Sequence, residues 1–598
     1  MSGYCGKLLR INLGSGRITT EPIDPSIARK FIGGRGLGTY YLSREISPTV
    51  DPLSPDNKLI VAAGPLTGST MPAVGRYMVV TKSPLTGTVA SSNAGGFFGP
   101  ELKFAGYDMV ILEGKAAKPS YILISDAKVE IRDASAYWGK LVGETTDALK
   151  AECAERKARV MCIGPAGERL SPIAAILNDK YRAAGRSGVG AVMGSKNLKA
   201  IVVRGTGKVV PADNAKAEEL RKSLLAAIKA NGVTGTGLPT YGTAILVNII
   251  NESGVYPTRN FQTGVFPEAN QASGEALKEK YLTGKDVCFR CPIACGRYCK
   301  ADGVEGGGPE YETLWAYSAD CGVSDLGAVI KANKWCNEYG LDTISAGATI
   351  ACAMELVQRG IIKPAEVDGP PLEFGSGQAI VEWTRKMGAG EGLGAKLALG
   401  SYRLAESYGV PEFSMTVKKQ ELPAYDPRGI QGHGLAYATS NRGGCHVRGY
   451  MIAPEILGSP QKLDPHTLEG KAKWAKLFQD LTAAIDSLGI CLFTSFAFNG
   501  DNYREMYNVV TGANLTTDDL LAAGERIWNM ERVFNLAAGI SPDQDTLPKR
   551  LLKEPLPEGG AKGKVHRLAE LLPEYYRERG WTAAGVPSDE KLAQLALK

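Results

Sequence analysis

From the N-terminus to about Gly207, apolar positions come in short β-branched runs: Leu8–Ile11, Leu59–Ala63, Tyr77–Thr81, Met109–Leu112, Tyr121–Ile124 and Ile201–Val203. Gly, Pro and Asp bound each run, which predicts strands joined by turns. Helical stretches between them are few, so sheet-rich packing is expected rather than regular βαβ alternation. The opening segment, Met1 through Asn12, reads as a strand and not as a signal peptide. Lys208-Val209-Val210-Pro211-Ala212-Asp213 marks a boundary, and beyond it the apolar period changes to that of helices. These are predicted over Ala215–Ala230, Ala328–Tyr339, Ser345–Arg359, Trp474–Ser487, Asp518–Phe534 and Val565–Arg579. A second boundary is expected near Tyr408–Pro423, an exposed loop over Pro364–Pro371, and a tail beyond Glu554 that wraps the surface. The expectation is an α+β protein: a β-sheet-rich domain over 1–210, then two mainly α-helical domains over 211–417 and 418–598.

A chain of 598 residues exceeds a single core, consistent with several domains. Its 44% hydrophobic and 22% charged content is that of a soluble globular protein. The net charge of +6 is spread through the chain without a basic run, which argues against nucleic acid. No stretch reaches the roughly 18 uncharged apolar residues of a membrane span. The 12 cysteines lack the dense pattern of a secreted disulfide scaffold, so a reducing cytoplasm is expected.

One run of cysteines stands apart. Cys288, Cys291 and Cys295 form a C-x-x-C-x-x-x-C series. On a helix, positions i, i+3 and i+7 share a face, so three thiolates could converge on one object. An iron–sulfur cube matches that better than zinc, whose ligands usually come in separated pairs; buried structural thiols are the plain alternative. The fourth ligand could be Cys299, four residues on, or the remote Cys491. Ligands from one short helix would struggle to surround a cube, which favours the remote one.

Three glycine-rich stretches suit an anionic group: Gly75-Arg76-Tyr77, Ser91 through Gly99, and Tyr181 through Gly190. Such loops expose backbone N–H groups, and two of them add forked guanidinium cations. A short echo links Asn337-Glu338-Tyr339-Gly340-Leu341-Asp342 and Asp486-Ser487-Leu488-Gly489-Ile490-Cys491. Each lies at the end of an apolar helix where Gly can serve as a C-cap, and each offers an amide or carboxylate to a heterocycle's amino groups. Only four histidines occur. His433 and His446 bracket a polar stretch, while His466 and His566 are expected to face solvent. Pro309-Glu310-Tyr311-Glu312 places two carboxylates shortly after the cysteines, and a buried Glu there could move protons near neutral pH.

Taken together, these motifs resemble the tungsten-dependent aldehyde:ferredoxin oxidoreductase family. The resemblance is carried by Gly6 through Leu13, Ala63-Gly64-Pro65-Leu66-Thr67-Gly68, Glu101 through Asp108, Arg182-Ala183-Ala184-Gly185-Arg186, Cys288 to Cys295, Pro309 through Thr313, Arg442-Gly443-Gly444-Cys445-His446 and Asp486 to Cys491. It implies that a cofactor is buried where the β and helical domains meet: tungsten, or molybdenum, held by the dithiolene sulfurs of two pterins with no direct protein ligand. By the family pattern Cys491 completes a 4Fe–4S cluster with Cys288, Cys291 and Cys295. Arg76 would bridge cluster and pterin. Asn93, Gly95, Arg182, Ala183 and Gly185 would line the phosphate side, with a Mg2+ ion bridging the pterin phosphates. Asn337, Leu341, Asp342, Asp486 and Ile490, helped by Arg442 and Arg448, would grip the pterins. Asn337 departs from the family's usual Asp and would lose a charge-assisted hydrogen bond. No histidine precedes His433, so the Glu-x-x-His motif that bridges some archaeal homodimers through iron lacks its ligand, and a metal-bridged homodimer is not expected.

The activity the resemblance implies is oxidation of an aldehyde to a carboxylic acid, with acid reduction as the reverse. Glu312 would take the proton of the attacking water or the hydrate, and His446 would hold the substrate oxygen. Electrons would pass through the cluster to ferredoxin or an iron–sulfur electron-transfer subunit. Two alternatives remain: a reductase of aromatic acyl thioesters of the benzoyl-CoA type, and a non-catalytic iron–sulfur electron-transfer subunit.

Overall fold

The computed structural model describes residues 2–153 and 157–598; the initial Met of the predicted first strand segment lies outside the described residues. Two six-stranded sheets make up the first third of the chain. The first runs in the order β2-β1-β6-β3-β4-β5, from β1 (Lys7–Asn12), β2 (Arg17–Pro22), β3 (Leu59–Ala63), β4 (Tyr77–Lys82), β5 (Val89–Ala94) and β6 (Met109–Glu113). The second runs β11-β10-β9-β12-β7-β8, from β7 (Ser120–Ser125), β8 (Lys128–Asp133), β9 (Arg159–Cys162), β10 (Ile176–Asn178), β11 (Arg182–Ala184) and β12 (Leu198–Arg204). Among the described residues, only β1 with β6 and β7 with β12 pair in parallel; the other pairs are antiparallel, as the scarcity of crossover helices predicts.

Every residue of β3 and β4 is buried, which is why these strands read as unbroken apolar runs. The sheets share one core, where Leu9, Val61 and Val79 of the first join Met161, Ile176 and Ile201 of the second. The far face of the first sheet is covered by the helix Gly34–Glu45 through Leu37 and Leu42, against Ile60, Met78 and Val80.

Beyond residue 213 the chain is mainly helical. Two helices matter most for the site: Leu326–Tyr339 and Lys471–Leu488. Both end on a glycine in the left-handed region, Gly340 at φ 74° and Gly489 at φ 83°, as the echoed motif predicts. Each end seats against one sheet by the same device. Just after β3, Gly64 lies so close that a Cβ there would sit 2.2 Å from the Leu488 carbonyl carbon. Close behind β9, a Cβ on Gly164 would sit 2.3 Å from the Tyr339 carbonyl carbon. Backbone hydrogen bonds complete both docks: Leu66 N–H to the Leu488 carbonyl at 3.0 Å, and Ala175 N–H to the Gly340 carbonyl at 2.8 Å. The residues after each glycine are thereby held at corresponding places on the two sheets.

Three expectations are corrected. The cysteine run is not helical: residues 287–295 form the loop between β13 (Leu282–Asp286) and β14 (Gly296–Ala301), which pair with β15 (Val304–Gly307) in a small sheet. Arg290 and Ala294 both stand at φ 48°, and these left-handed residues turn the loop tightly enough to aim its thiols without a helix. The tail beyond Glu554 does not merely wrap the surface, since Leu571, Tyr575 and Trp581 enter the largest core. His566 is buried, its Nε2 2.8 Å from the Gln431 carbonyl oxygen, and His466 is half-buried. No helix among the described residues is long and apolar enough to cross a membrane.

Candidate active site

Backbone hydrogen bonds draw the cysteine loop and the distant Cys491 to one segment. Ala73 donates its N–H to the Arg290 carbonyl at 2.9 Å, and its own carbonyl accepts from Cys491 N–H at 3.0 Å. Phe289 N–H donates to the Gly96 carbonyl at 3.1 Å. Gly95 is required here: a Cβ would lie 2.8 Å from Cys288 Sγ and 3.3 Å from Arg76 Cζ. Cys299 lies elsewhere, on β14, fully buried in the helical core. Burial raises Cys291 and Cys295, and both are raised further by Cys491 and Cys288. Sulfurs that discourage one another's ionisation are stabilised as thiolates by a shared metal cation. Among the described residues no three His, Cys, Asp or Glu side chains converge as ligands of a single metal ion do.

Arg76 joins this sulfur site to a buried polar chain. It donates to Cys491 Sγ at 3.1 Å and to Asn93 Oδ1 at 3.1 Å, and Asn93 Nδ2 donates to Asp486 Oδ1 at 3.1 Å. Burial opposes the charge of Arg76, but Cys491, Cys288 and Cys295 more than offset it and raise its pKa. Asp486 also accepts from Arg448 and, at 3.4 Å, from Arg35. Arg448 and Arg442 both reach the Ser91 carbonyl on β5. The other echoed motif has its own partner: Arg186 donates to Asp342 Oδ2 at 3.0 Å and to the carbonyls of Gly444 and Glu421, each at 2.7 Å. Asp342 caps the helix Thr343–Gln358 through Ile344 N–H. Arg182 binds the Asp286 carbonyl at 2.7 Å and its carboxylate at 3.0 Å. Arg448 is pushed down to about 10, by burial first and then by the neighbouring Arg35 and Arg442. A buried guanidinium opposed by two neighbouring ones is a place that favours an anion.

A cavity of about 380 Å³ adjoins both networks. Its walls include Cys288, Cys295, Arg76, Gly95, Arg182, Ala183, Asn337, Glu312 and His446. Glu312 lies in the first turn of the helix Tyr311–Tyr317. Its Oε2 accepts from Ala424 N–H at 3.0 Å, and its Oε1 lies 3.6 Å from His446 Nε2. Burial raises Glu312 to about 8, with Cys445 and Asp342 adding to the effect against Arg186 and the Ala424 N–H. His446 is held well below its ordinary range by burial, then by Arg186, His433 and Arg442. The two therefore meet as a carboxylic acid and a neutral imidazole rather than as an ion pair. Tyr425, Tyr450 and Phe496 form the adjoining aromatic wall, the tyrosine hydroxyls 3.1 Å apart.

The predicted residues fall into two groups. Arg76, Gly95, Arg182, Ala183, Asn337, Glu312, His446, Cys288 and Cys295 line the cavity, whereas Asn93, Asp486 and Arg448 stand behind the wall in the chain from Arg76, and Arg442 joins Arg448 on Ser91. Leu341 and Ile490 are buried at the two helix ends, and Gly185 lies near Asp342. Sequence reasoning missed Arg186 as a separate anchor, although it closes the glycine–arginine run, and missed the aromatic wall, whose residues carry no local signal. The site fits an anionic metallopterin: Glu312 Oε1 and His446 Nδ1 are buried without a partner, Ala183 is exposed in the cavity wall, and Arg76 and Arg182 both line the cavity.

The family described as "Aldehyde ferredoxin oxidoreductase, N-terminal domain" matches residues 8–205, and "Aldehyde ferredoxin oxidoreductase, domains 2 & 3" matches residues 219–597. The tungsten-containing aldehyde ferredoxin oxidoreductase of Pyrococcus abyssi is 56% identical over 100% of both chains. That of Pyrococcus furiosus is 56% identical over 100% of this chain and 99% of its own. A solved structure, the active site complex BamBC of benzoyl coenzyme A reductase with 1,5-dienoyl-CoA, contains a chain 27% identical with a TM-score of 0.87, covering 100% of this chain and 97% of that one.

Proposed function

Because the chain belongs to the aldehyde ferredoxin oxidoreductase family, we propose that it is a tungsten-dependent enzyme that oxidises aldehydes to carboxylic acids and passes the electrons to a ferredoxin. The observation that carries this reading is a single cavity bordered on one side by Cys288 and Cys295 and on another by the Glu312–His446 pair. Cys288, Cys291, Cys295 and Cys491 would hold a 4Fe–4S cluster, and Arg76 would link it to the pterin. Asn337, Leu341 and Asp342 would grip one pterin, and Asp486 and Ile490 the other, with Arg442 and Arg448 in support. Asn93, Gly95, Arg182, Ala183 and Gly185 would line the phosphates and their Mg2+. When bound, the metallopterin and cluster supply the two-electron oxidation and its division into single electrons.

The protein's own residues bind, orient and move protons. The aromatic wall of Tyr425, Tyr450 and Phe496 excludes water and accepts the aldehyde's carbon skeleton. His446, neutral in its surroundings, donates to the substrate oxygen. Glu312, with its pKa near 8, accepts the proton of the attacking water or hydrate and returns it when the reaction runs toward aldehyde. His446 in turn stays within reach of the Glu312 carboxyl, so the proton need not leave the cavity at once.

The test is metal analysis of the purified protein together with turnover. Tungsten at about one atom per chain, with about four irons, and dye-linked aldehyde oxidation are expected. A panel of aldehydes run against benzoyl thioester with a low-potential dye separates this reading from thioester reduction. Protein that holds iron but yields no pterin on extraction would reduce the chain to an electron carrier.

A further inference from the structure

The loop that carries the cysteines has an outer side as well as an inner one. Adjoining the catalytic cavity at Cys288, a groove of about 450 Å³ is lined by Cys288, Cys291, Val287, Arg290, Arg221 and Met71, among others, and among the described residues no carboxylate lines it. Cys288 belongs to both walls, so the sulfur site forms the partition between cavity and groove. Val287 is 41% exposed, one of few large apolar side chains so open to solvent, and Arg290 and Pro292 beside it are exposed. The helix Asn214–Ala230 forms the facing bank. Its residues 218, 221, 222 and 225 share one side, as i, i+3, i+4 and i+7 positions do. Glu218 pairs with Arg221 at 2.6 Å and is also held down by Lys222 and Arg290. Three cations thus gather about the carboxylate of Glu218: Arg221 and Arg290, which line the groove, and Lys222 beside Arg221.

We propose that this groove is the docking surface for an acidic one-electron carrier protein, steered by Arg290, Arg221 and Lys222 and seated on Val287 and Pro292. The inference rests on the reading above, in which these cysteines hold a cluster through which electrons leave. Electron tunnelling weakens exponentially with distance, so the carrier must approach the cluster from outside, and the groove is where two of its ligands line the outer surface. Oxidation of one aldehyde with water to the carboxylic acid releases two protons and two electrons, and two oxidised carriers each take one electron in separate encounters. Such an exchange requires quick release. A small apolar centre with a charged rim meets that need: weak electron-transfer interfaces are small, and opposite charge raises the encounter rate by about 10- to 1,000-fold at low salt. The surplus of cations fixes the sign of the partner.

The experiment uses the holoenzyme with two acceptors, an acidic ferredoxin and a viologen dye. The double variant Arg221→Glu/Arg290→Glu is expected to lower ferredoxin-linked kcat/KM by about tenfold or more at low salt and to flatten its dependence on ionic strength. Dye-linked turnover and iron content should match the parent. The pair Arg221→Glu/Lys222→Glu lies outside the cysteine loop and decides by the same criterion should the Arg290 change cost iron. Ferredoxin-linked kcat/KM within twofold of the parent would place docking elsewhere. So would a partner that co-purifies in a complex indifferent to high salt, or self-association of the chain that the variants abolish. A parent enzyme without dye-linked aldehyde oxidation would instead overturn the catalytic reading.

Discussion

Replacing Glu312 with Gln isolates the proton-transfer role. Gln keeps the size of the side chain and an oxygen to accept the Ala424 N–H, which lies 3.0 Å away, so the fold has no reason to change. What disappears is the titrating group. With the carboxyl raised to about 8 from an ordinary value near 4.5, its charged form is disfavoured by roughly 5 kcal/mol relative to water. That cost keeps Glu312 largely protonated below pH 8 and makes it a strong base once ionised. Dye-linked aldehyde oxidation by the parent should therefore rise with pH through an apparent pKa of about 8 and then level off. The variant should lose about 10²- to 10⁴-fold in kcat, the usual worth of a positioned general base, and its residual rate should lack that limb. Tungsten and iron should remain at parental levels. A variant of undiminished rate, or one that keeps the limb near pH 8, would remove Glu312 from the mechanism. Loss of metal would assign it a structural role.

Further outcomes follow from the same geometry. Cys491→Ser should deplete iron and bleach the visible absorbance of the cluster, while Cys299→Ser, buried on β14, should leave both near normal. Gly95→Ala would force a Cβ to 2.8 Å from Cys288 Sγ, and iron content after purification should fall while the sheets remain folded by circular dichroism. Gly64→Ala and Gly164→Ala each drive a methyl into a helix-terminal carbonyl, at 2.2 and 2.3 Å respectively. Each should lower stability to denaturant by about 1–3 kcal/mol or more. Burial pushes His433 down to about 3 and His566 to about 4, below the roughly 6.5 of an unfolded chain. Their neutral forms thus contribute stability fully above about pH 6.5 and lose it as pH falls toward those values. Tm should drop between about pH 6.5 and about pH 4.5, and less steeply in His566→Gln.

Strands and helices were legible in the sequence because period and caps depend on near neighbours: β3 and β4 as continuous apolar runs, the two helix ends as glycines that must adopt positive φ. The cysteine spacing and the glycine–arginine loops likewise predicted a sulfur-held centre beside an anionic group, and the fold brings Cys288, Cys295, Arg76 and Arg182 to one cavity. Spacing misread the cysteine run as a helix face, because a C-x-x-C-x-x-x-C series suits both a helix and a tight loop, and only the left-handed Arg290 and Ala294 distinguish them. Only the tertiary structure brought Cys491 to the loop, through Ala73, and left Cys299 in the core. It alone set Glu312 against His446 and raised one while lowering the other, since pKa values answer to burial and to charges that arrive from distant segments. Arg186, Tyr425 and Tyr450 owe their places to packing that no local pattern encodes. The sequence determined which chemical groups were present and how each short segment would fold. Their convergence was decided where bare glycines let helix ends press against sheet backbones, a fit that exists only once the whole chain is assembled.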